Sequence, residues 1–217
     1  MIMIESNTLP LFPIPTVILP GEVTALHLFE PRYLEMFADC EQEPKQEGDF
    51  VMVYSDGEQT DEVGCAVAIT RVLNRNPDGS VDVLVEGRRR VRLETRYQLH
   101  SYDSARVERL HDATGDWDEA LATRVYALHR QVLVLSTGDE PSDRFYESRE
   151  SLAYAVAACS GFEPQAKREL LALEQEDQRL MVVRHQLERI LPLLQSALPV
   201  WKDILSSYSL AVLPKEN

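Results

Sequence analysis

The chain has 217 residues, 44% of them hydrophobic and 27% charged, the balance of an ordinary globular protein with material for one large domain or two small ones. Its 36 acidic residues outnumber 22 basic ones and give a formal charge of −14, a field that repels phosphate backbones and puts nucleic-acid binding at a disadvantage. Three widely spaced cysteines, no run of about 18 apolar residues and no basic-then-apolar leader predict a cytoplasmic protein that is neither exported nor membrane-spanning.

As far as about residue 110 the signals are short, mostly of period two and punctuated by turn residues, which predicts β structure. Leu9–Phe12 and Val17–Leu19 are apolar runs broken by Pro10, Pro13, Pro15 and Pro20, as expected of edge strands. Pro20-Gly21 suits the two central positions of a type II turn. One helix is predicted over Pro31–Cys40, with Pro31 at its first position and Tyr33, Leu34, Phe37 and Cys40 on one face. Surface loops are expected over Glu41–Asp49 and Ser55–Glu62, with a strand at Phe50–Tyr54 between them. A hairpin joins Cys65–Leu73 to Val81–Glu86 through a segment dense in turn formers, and Gly87 ends or kinks its second arm. Further strands are expected near Tyr97–His100 and Ser104–Leu110.

Beyond Asp116 the period changes to three and four. Leu121, Val125, Leu128, Val132 and Leu135 trace a helix, and Ser136–Asp143 connects it onward. Ser151–Cys159 forms a short helix, Gly161-Phe162 a break, and Pro164 opens another. Leu180, Val183, Leu187, Ile190 and Leu194 then stripe a long helix in which Pro192 predicts a kink, or else an end and a restart. A tail with Trp201, Leu205, Tyr208 and Leu210 is expected to pack back on either half.

Motifs for catalysis are missing. No GxxxxGK[ST] loop, GxGxxG, HExxH or GxSxG stands in the sequence, and the five histidines show no metal-ligand spacing, so no cofactor, metal or catalytic residue is expected. Cys40, Cys65 and Cys159 read as small buried apolar residues. The unusual charge cluster is Arg88-Arg89-Arg90-Val91-Arg92, where alternation places Arg88, Arg90 and Arg92 on one face. Such a face is either an anion-binding stripe or a set of partners for the surplus carboxylates.

Four blocks carry a resemblance: Leu9-Pro10-Leu11-Phe12-Pro13, Val17-Ile18-Leu19-Pro20-Gly21, Leu26-His27-Leu28-Phe29-Glu30-Pro31-Arg32-Tyr33, and Val85-Glu86-Gly87 with Arg90. With Gly64-Cys65-Ala66-Val67 and Asp78-Gly79 between them, the chain resembles the N-terminal substrate-recognition domain of Lon proteases and its free-standing relatives over about residues 8–110. The similarity is looser over 118–195, through Gln165-Ala166-Lys167-Arg168-Glu169-Leu170-Leu171 and the striped helix. The resemblance implies an α+β fold: a PUA-like antiparallel β-barrel with a capping helix over residues 1–112, then a C-terminal α-helical bundle over 116–217. It implies a non-catalytic, ATP-independent role in holding other polypeptides, because the ATPase and peptidase have no counterpart in these residues. Pro20, Gly21, Pro31, Gly87 and Arg90 carry over as structural positions. Candidate binding residues are Phe29, Tyr33 and Phe37 around the first helix, Arg88, Arg90 and Arg92, and Trp201. The alternatives are a small-ligand site or enzyme at the junction of barrel and bundle and, disfavoured by charge, RNA binding.

Overall fold

The computed structural model describes residues 7–42, 49–98, 100–113, 117–141, 146 and 151–211, with side chains described as far as Ala197. The described elements are six strands and five helices. The strands are β1 (Thr8–Ile14), β2 (Val23–Leu28), β3 (Phe50–Tyr54), β4 (Val63–Arg75), β5 (Val81–Tyr97) and β6 (Ser104–Arg109). The helices are α1 (Pro31–Gln42), α2 (Glu119–Thr137), α3 (Leu152–Cys159), α4 (Pro164–Ala172) and α5 (Glu176–Ala211).

The strands form one sheet in the order β2-β5-β4-β3-β1-β6, and β6 pairs with β5 as well as β1, which brings the ladder back to its longest strand. Five of the six pairings named in that order and its return are antiparallel, but β1 runs parallel to β3, from Leu11 opposite Val51 to Ile14 opposite Tyr54. That pair corrects the expectation of a wholly antiparallel sheet. Its cause is the long crossover through β2 and α1, which returns the chain to the same end from which β1 started.

Val17–Leu19 is not a strand. Pro15 and Pro20 flank it without backbone N–H groups, and the Leu19 N–H donates to the Glu22 carboxylate at 2.9 Å instead of to a neighbouring strand. Its unbroken apolar run has another origin: Val17 and Leu19 enter the helical core while Ile18 enters the core of the sheet. Of the strand expected near Tyr97–His100, Tyr97 is the last residue of β5, Gln98 and His100 are not in a strand, and Leu99 lies outside the described residues.

Two large cores result. In the first, Tyr33, Met36, Phe37 and Cys40 of α1 pack against Phe12, Phe50, Met52, Val81, Val83 and Val85, with Phe12 edge-on to Tyr33 at 4.5 Å. In the second, α2, α3, α4 and α5 bury Val125, Leu128, Val156, Leu170, Leu180, Val183 and Leu187 together with Val17 and Leu19. Helix α5 runs unbroken past Pro192, so the chain does not stop and restart there. The packing of Trp201, Leu205, Tyr208 and Leu210 lies outside the described side chains. Cys40 and Cys65 are buried as expected, and desolvation pushes the Cys65 thiol up to about 12; Cys159, at the end of α3, is exposed, a correction.

The sheet and helical parts are held together by charged groups as well as by the shared core. Lys167 Nζ meets Glu22 at 2.5 Å, and Arg168 grips Asp61 through two bonds of 2.7 and 2.6 Å while lying over the Tyr54 ring. Both partners of the first pair are mostly buried, so removing either would leave an uncompensated charge in a poorly solvated site.

His129 of α2 is fully buried, its Nδ1 2.8 Å from the Tyr146 hydroxyl. Desolvation holds its pKa down at about 4. The unfolded chain therefore takes up a proton first as pH falls, and folding stability declines between the ordinary histidine range and pH 4. Urea unfolding at pH 7 and pH 5 is expected to differ by about 1–2 kcal/mol, and His129→Gln is expected to remove most of that difference. An unchanged pH slope in the variant would assign it to other groups.

Candidate functional site: an open sheet edge beside an arginine-lined cleft

Strand β2 alternates. Thr24, Leu26 and Leu28 turn toward the core, while Val23, Ala25 and His27 are exposed. One edge pairs with β5 from Val23 opposite Glu86 to Leu28 opposite Val81; among the described residues no strand pairs with the other. An edge of this kind leaves alternate N–H and C=O groups ready to receive another extended chain. Exposed apolar groups flank it, Val23 at 54% and Phe29 at 65% of full exposure. His27 is held by Asp82 at 2.6 Å and stacks on Phe29 with ring centres 5.7 Å apart.

Local sequence sets the start of this strand. Gly21 has φ 78°, and the Glu22 N–H donates to the Leu19 carbonyl at 3.0 Å, closing the turn that Pro20-Gly21 predicts. Gly21 and Gly87 then approach backbone to backbone, with Gly21 N–H to Gly87 carbonyl at 2.8 Å and Gly87 N–H to Glu22 carbonyl at 2.9 Å. Gly87 neither ends β5 nor takes a left-handed conformation. The strand continues, and the register shifts between Ala66/Val67, whose partners are Arg89 and Gly87, leaving Arg88 as the extra residue of a bulge.

Where β2 begins and β6 ends, a cleft of about 430 Å³ opens between the sheet and α3. Gly21, Gly87, Arg88, Arg89, Arg109 and His111 are among its lining residues. Arg88 is half-exposed and pairs with Glu86 at 3.2 Å. Arg109 is exposed and its guanidinium has no hydrogen-bond or ionic partner among the described residues. The N-terminus of α3, on the far wall, is already satisfied: Ser151 Oγ accepts from the Tyr154 N–H and Glu176 from the Ala153 N–H.

Beneath the cleft floor lies a buried charge network. Arg90, 2% exposed, donates to the Leu171 carbonyl at 2.9 Å and to Asp112 at 2.6 Å. Arg179, 1% exposed, donates twice to Asp112 at 2.9 Å, to Glu176 at 2.9 Å and to the Tyr154 hydroxyl at 2.8 Å. Burial acting alone raises the Asp112 carboxyl, but the hydrogen bond and charge of Arg179, then those of Arg90, outweigh it and hold it below the ordinary aspartate range.

Pro20, Gly21, Gly87, Arg88 and Arg90 therefore converge on one cleft, whereas Pro31 opens α1 elsewhere. Three of the candidate binding residues are buried. Tyr33 and Phe37 are 5% and 2% exposed and belong to the core, leaving Phe29 as the surface member of that trio. Arg90 shares its face with Arg88 and Arg92, as alternation predicts, but the helical part covers it and takes up its donors. Arg92 pairs with Glu108 at 3.2 Å on the exposed part of that face, and the Trp201 side chain lies outside those described.

Arg109, Asp112, Tyr154 and Arg179 stand in no motif of the sequence. Arg179 did carry a signal, since it stands four residues before Val183 and eight before Leu187 on the buried stripe. One further cluster joins Glu35, Asp39 and His100, but the Ser101 and Tyr102 hydroxyls already donate to its two carboxylates at 2.6 and 2.8 Å, which accounts for it.

An α+β molecule with one returning sheet, a helix laid against it and helices stacked on its far end defines a class already represented among solved structures. The sequence matches the family described as ATP-dependent protease La (LON) substrate-binding domain over residues 8–189, and the chain belongs to that family. The fold is similar to that of a Lon N-terminal domain protein from Xanthomonas campestris, with a TM-score of 0.62 at 22% identity over 80% of this chain and 95% of that one. It is equally similar to the N-terminal domain of the Mycobacterium avium complex Lon protease, with a TM-score of 0.62 at 16% identity over 83% and 98% of the two chains. No curated protein matches the sequence. No helix among the described residues is long and apolar enough to cross a membrane.

Proposed function

We propose that this chain is a non-catalytic, ATP-independent module that binds other polypeptides in extended form, by adding them as a strand to the outer edge of β2. The observation that carries this reading is the unpaired edge itself, flanked by exposed Val23 and Phe29. Backbone hydrogen bonds along such an edge supply affinity with little regard to sequence, and alternate side-chain contacts supply preference. The family's description as a substrate-binding domain supports the same class of ligand. The returning sheet is read as the PUA-like barrel of the resemblance, occupying residues 1–112, with 116–217 as the helical part that closes one end. RNA is disfavoured by the charge of −14 and by the carboxylate partners of Arg88, Arg90 and Arg92.

The test is binding of a fluorescent unfolded polypeptide, without nucleotide, to the intact chain and to the double variant Val23→Lys/Ala25→Lys. Both positions are exposed, so folding is expected to be unaffected. Lysines on an edge strand oppose the docking of another chain. Affinity is expected to fall by about tenfold, which corresponds to about 1.4 kcal/mol. Wild-type affinity in the variant would place the binding surface elsewhere.

A further inference from the structure

We infer that the arginine-lined cleft at the start of β2 captures the free C-terminal carboxylate of the bound polypeptide, so that the ligands of this edge are chain ends rather than internal segments. The inference rests on the proposed strand addition and specifies which part of a polypeptide is recognised.

Direction is the first step of the argument. Val23 of β2 pairs with Glu86, and both Gly21 and Glu86 line the cleft, so the N-terminal end of β2 lies on its rim. A segment that adds antiparallel to β2, the slightly more favourable arrangement, runs from the Leu28 end toward the Val23 end. Its C-terminus therefore arrives at the cleft. β2 is six residues long, so a segment of about six to eight residues spans the edge.

Charge is the second step. The cleft is lined by Arg88, Arg89, Arg90 and Arg109 against only Glu86 and Asp112, a local excess of positive charge in a chain whose net charge is −14. Asp112 is already engaged by Arg90 and Arg179 and therefore does not oppose an incoming anion. Arg109 stands at the end of β6 with its donors uncommitted among the described residues, and a guanidinium offers a planar fork that fits a carboxylate through two bonds. Arg88, held only by half-exposed Glu86, is the second donor at the rim. An internal segment has no terminal charge to place there.

The experiment uses the full chain and a pool of fluorescein-labelled peptides about eight residues long with apolar residues at alternate positions, prepared once as C-terminal acids and once as C-terminal amides. Anisotropy titrations are expected to show the acids binding at least about tenfold more tightly, as a charge-assisted hydrogen bond allows, with the advantage shrinking as salt rises. Arg109→Gln is expected to remove most of the acids' advantage and to leave the amides unchanged, a selectivity that a general loss of structure would not produce. Equal binding of acids and amides would overturn the carboxylate inference while leaving strand addition standing. Binding by neither pool would overturn both.

Discussion

Asp112→Asn is expected to lower the unfolding free energy by about 3 kcal/mol, the low end of the cost of removing one partner from a buried ion pair, because Asp112 itself keeps some contact with water. Arg90 and Arg179 are each 2% exposed at the side chain, and the same carboxylate serves both, so neutralising it strands two guanidinium groups in a nearly dry site. The Leu171 carbonyl, Tyr154 hydroxyl and Glu176 remain as acceptors and limit the damage. Because Arg90 belongs to β5, Arg179 to α5 and Asp112 to the segment between β6 and α2, the loss is expected in one cooperative transition rather than in one half of the molecule. Chemical denaturation read by both far-UV circular dichroism and tryptophan fluorescence checks this; two separated transitions would show that the halves fold independently. The pH dependence has a definite sign. The folded state holds Asp112 below its ordinary range, so its contribution is complete above that range and is lost as pH falls through the lowered folded-state value. The Asn variant is expected to lose this part of the acid limb.

Helices α2 and α5 are legible because each buries one face against a shared core, which leaves a three-and-four pattern that needs no knowledge of the partners. Leu121, Val125, Leu128 and Val132 of α2, and Leu180, Val183 and Leu187 of α5, are read correctly for that reason. The hairpin of β4 and β5 was legible because Asn76-Pro77-Asp78-Gly79 states the turn in local chemistry, and Gly79 indeed has φ 88°. Strand β2 was not recognised as a strand. Its exposed face carries Ala25 and His27 and its inner face Thr24, so the hydrophobic alternation that marks half-buried strands is faint. Val17–Leu19 has the opposite character, an apolar run that joins no strand ladder, because an extended segment wedged between two cores buries both of its faces. The candidate site suffered most. Its cleft joins Gly21, Gly87, Arg109 and Tyr154, positions separated by tens of residues, and no local pattern records which of the four arginines at 88, 89, 90 and 92 the helices will cover. Arg90 and Arg92 are indistinguishable by alternation, yet one is buried under the helical part and the other faces solvent.

Gly87→Val is the second substitution with a large expected effect, about 3 kcal/mol or more of lost stability, at or beyond the upper end of ordinary overpacking. A Cβ at this position would lie 2.2 Å from the Leu19 carbonyl oxygen and 3.2 Å from the Cys65 sulfur. The oxygen cannot retreat easily, because it accepts the Glu22 N–H that closes the turn, and Glu22 in turn holds the Leu19 N–H and Lys167 of α4. Relief therefore has to open the turn, break the paired hydrogen bonds between Gly21–Glu22 and Gly87, or push β4 away, and each of these undoes contacts on which both cores depend. Gly57→Ala is the informative comparison. Gly57 has φ 94° and open space around its missing Cβ, so its substitution is expected to cost about 1–2 kcal/mol from backbone conformation alone. Thermal or urea unfolding of the two variants separates close approach from conformational strain, and a Gly87→Val protein no less stable than Gly57→Ala would show that the turn can yield. If it yields, β2 starts from a displaced point. Polypeptide binding is then expected to weaken even where the variant stays folded, because the edge and the rim of the cleft share that same turn.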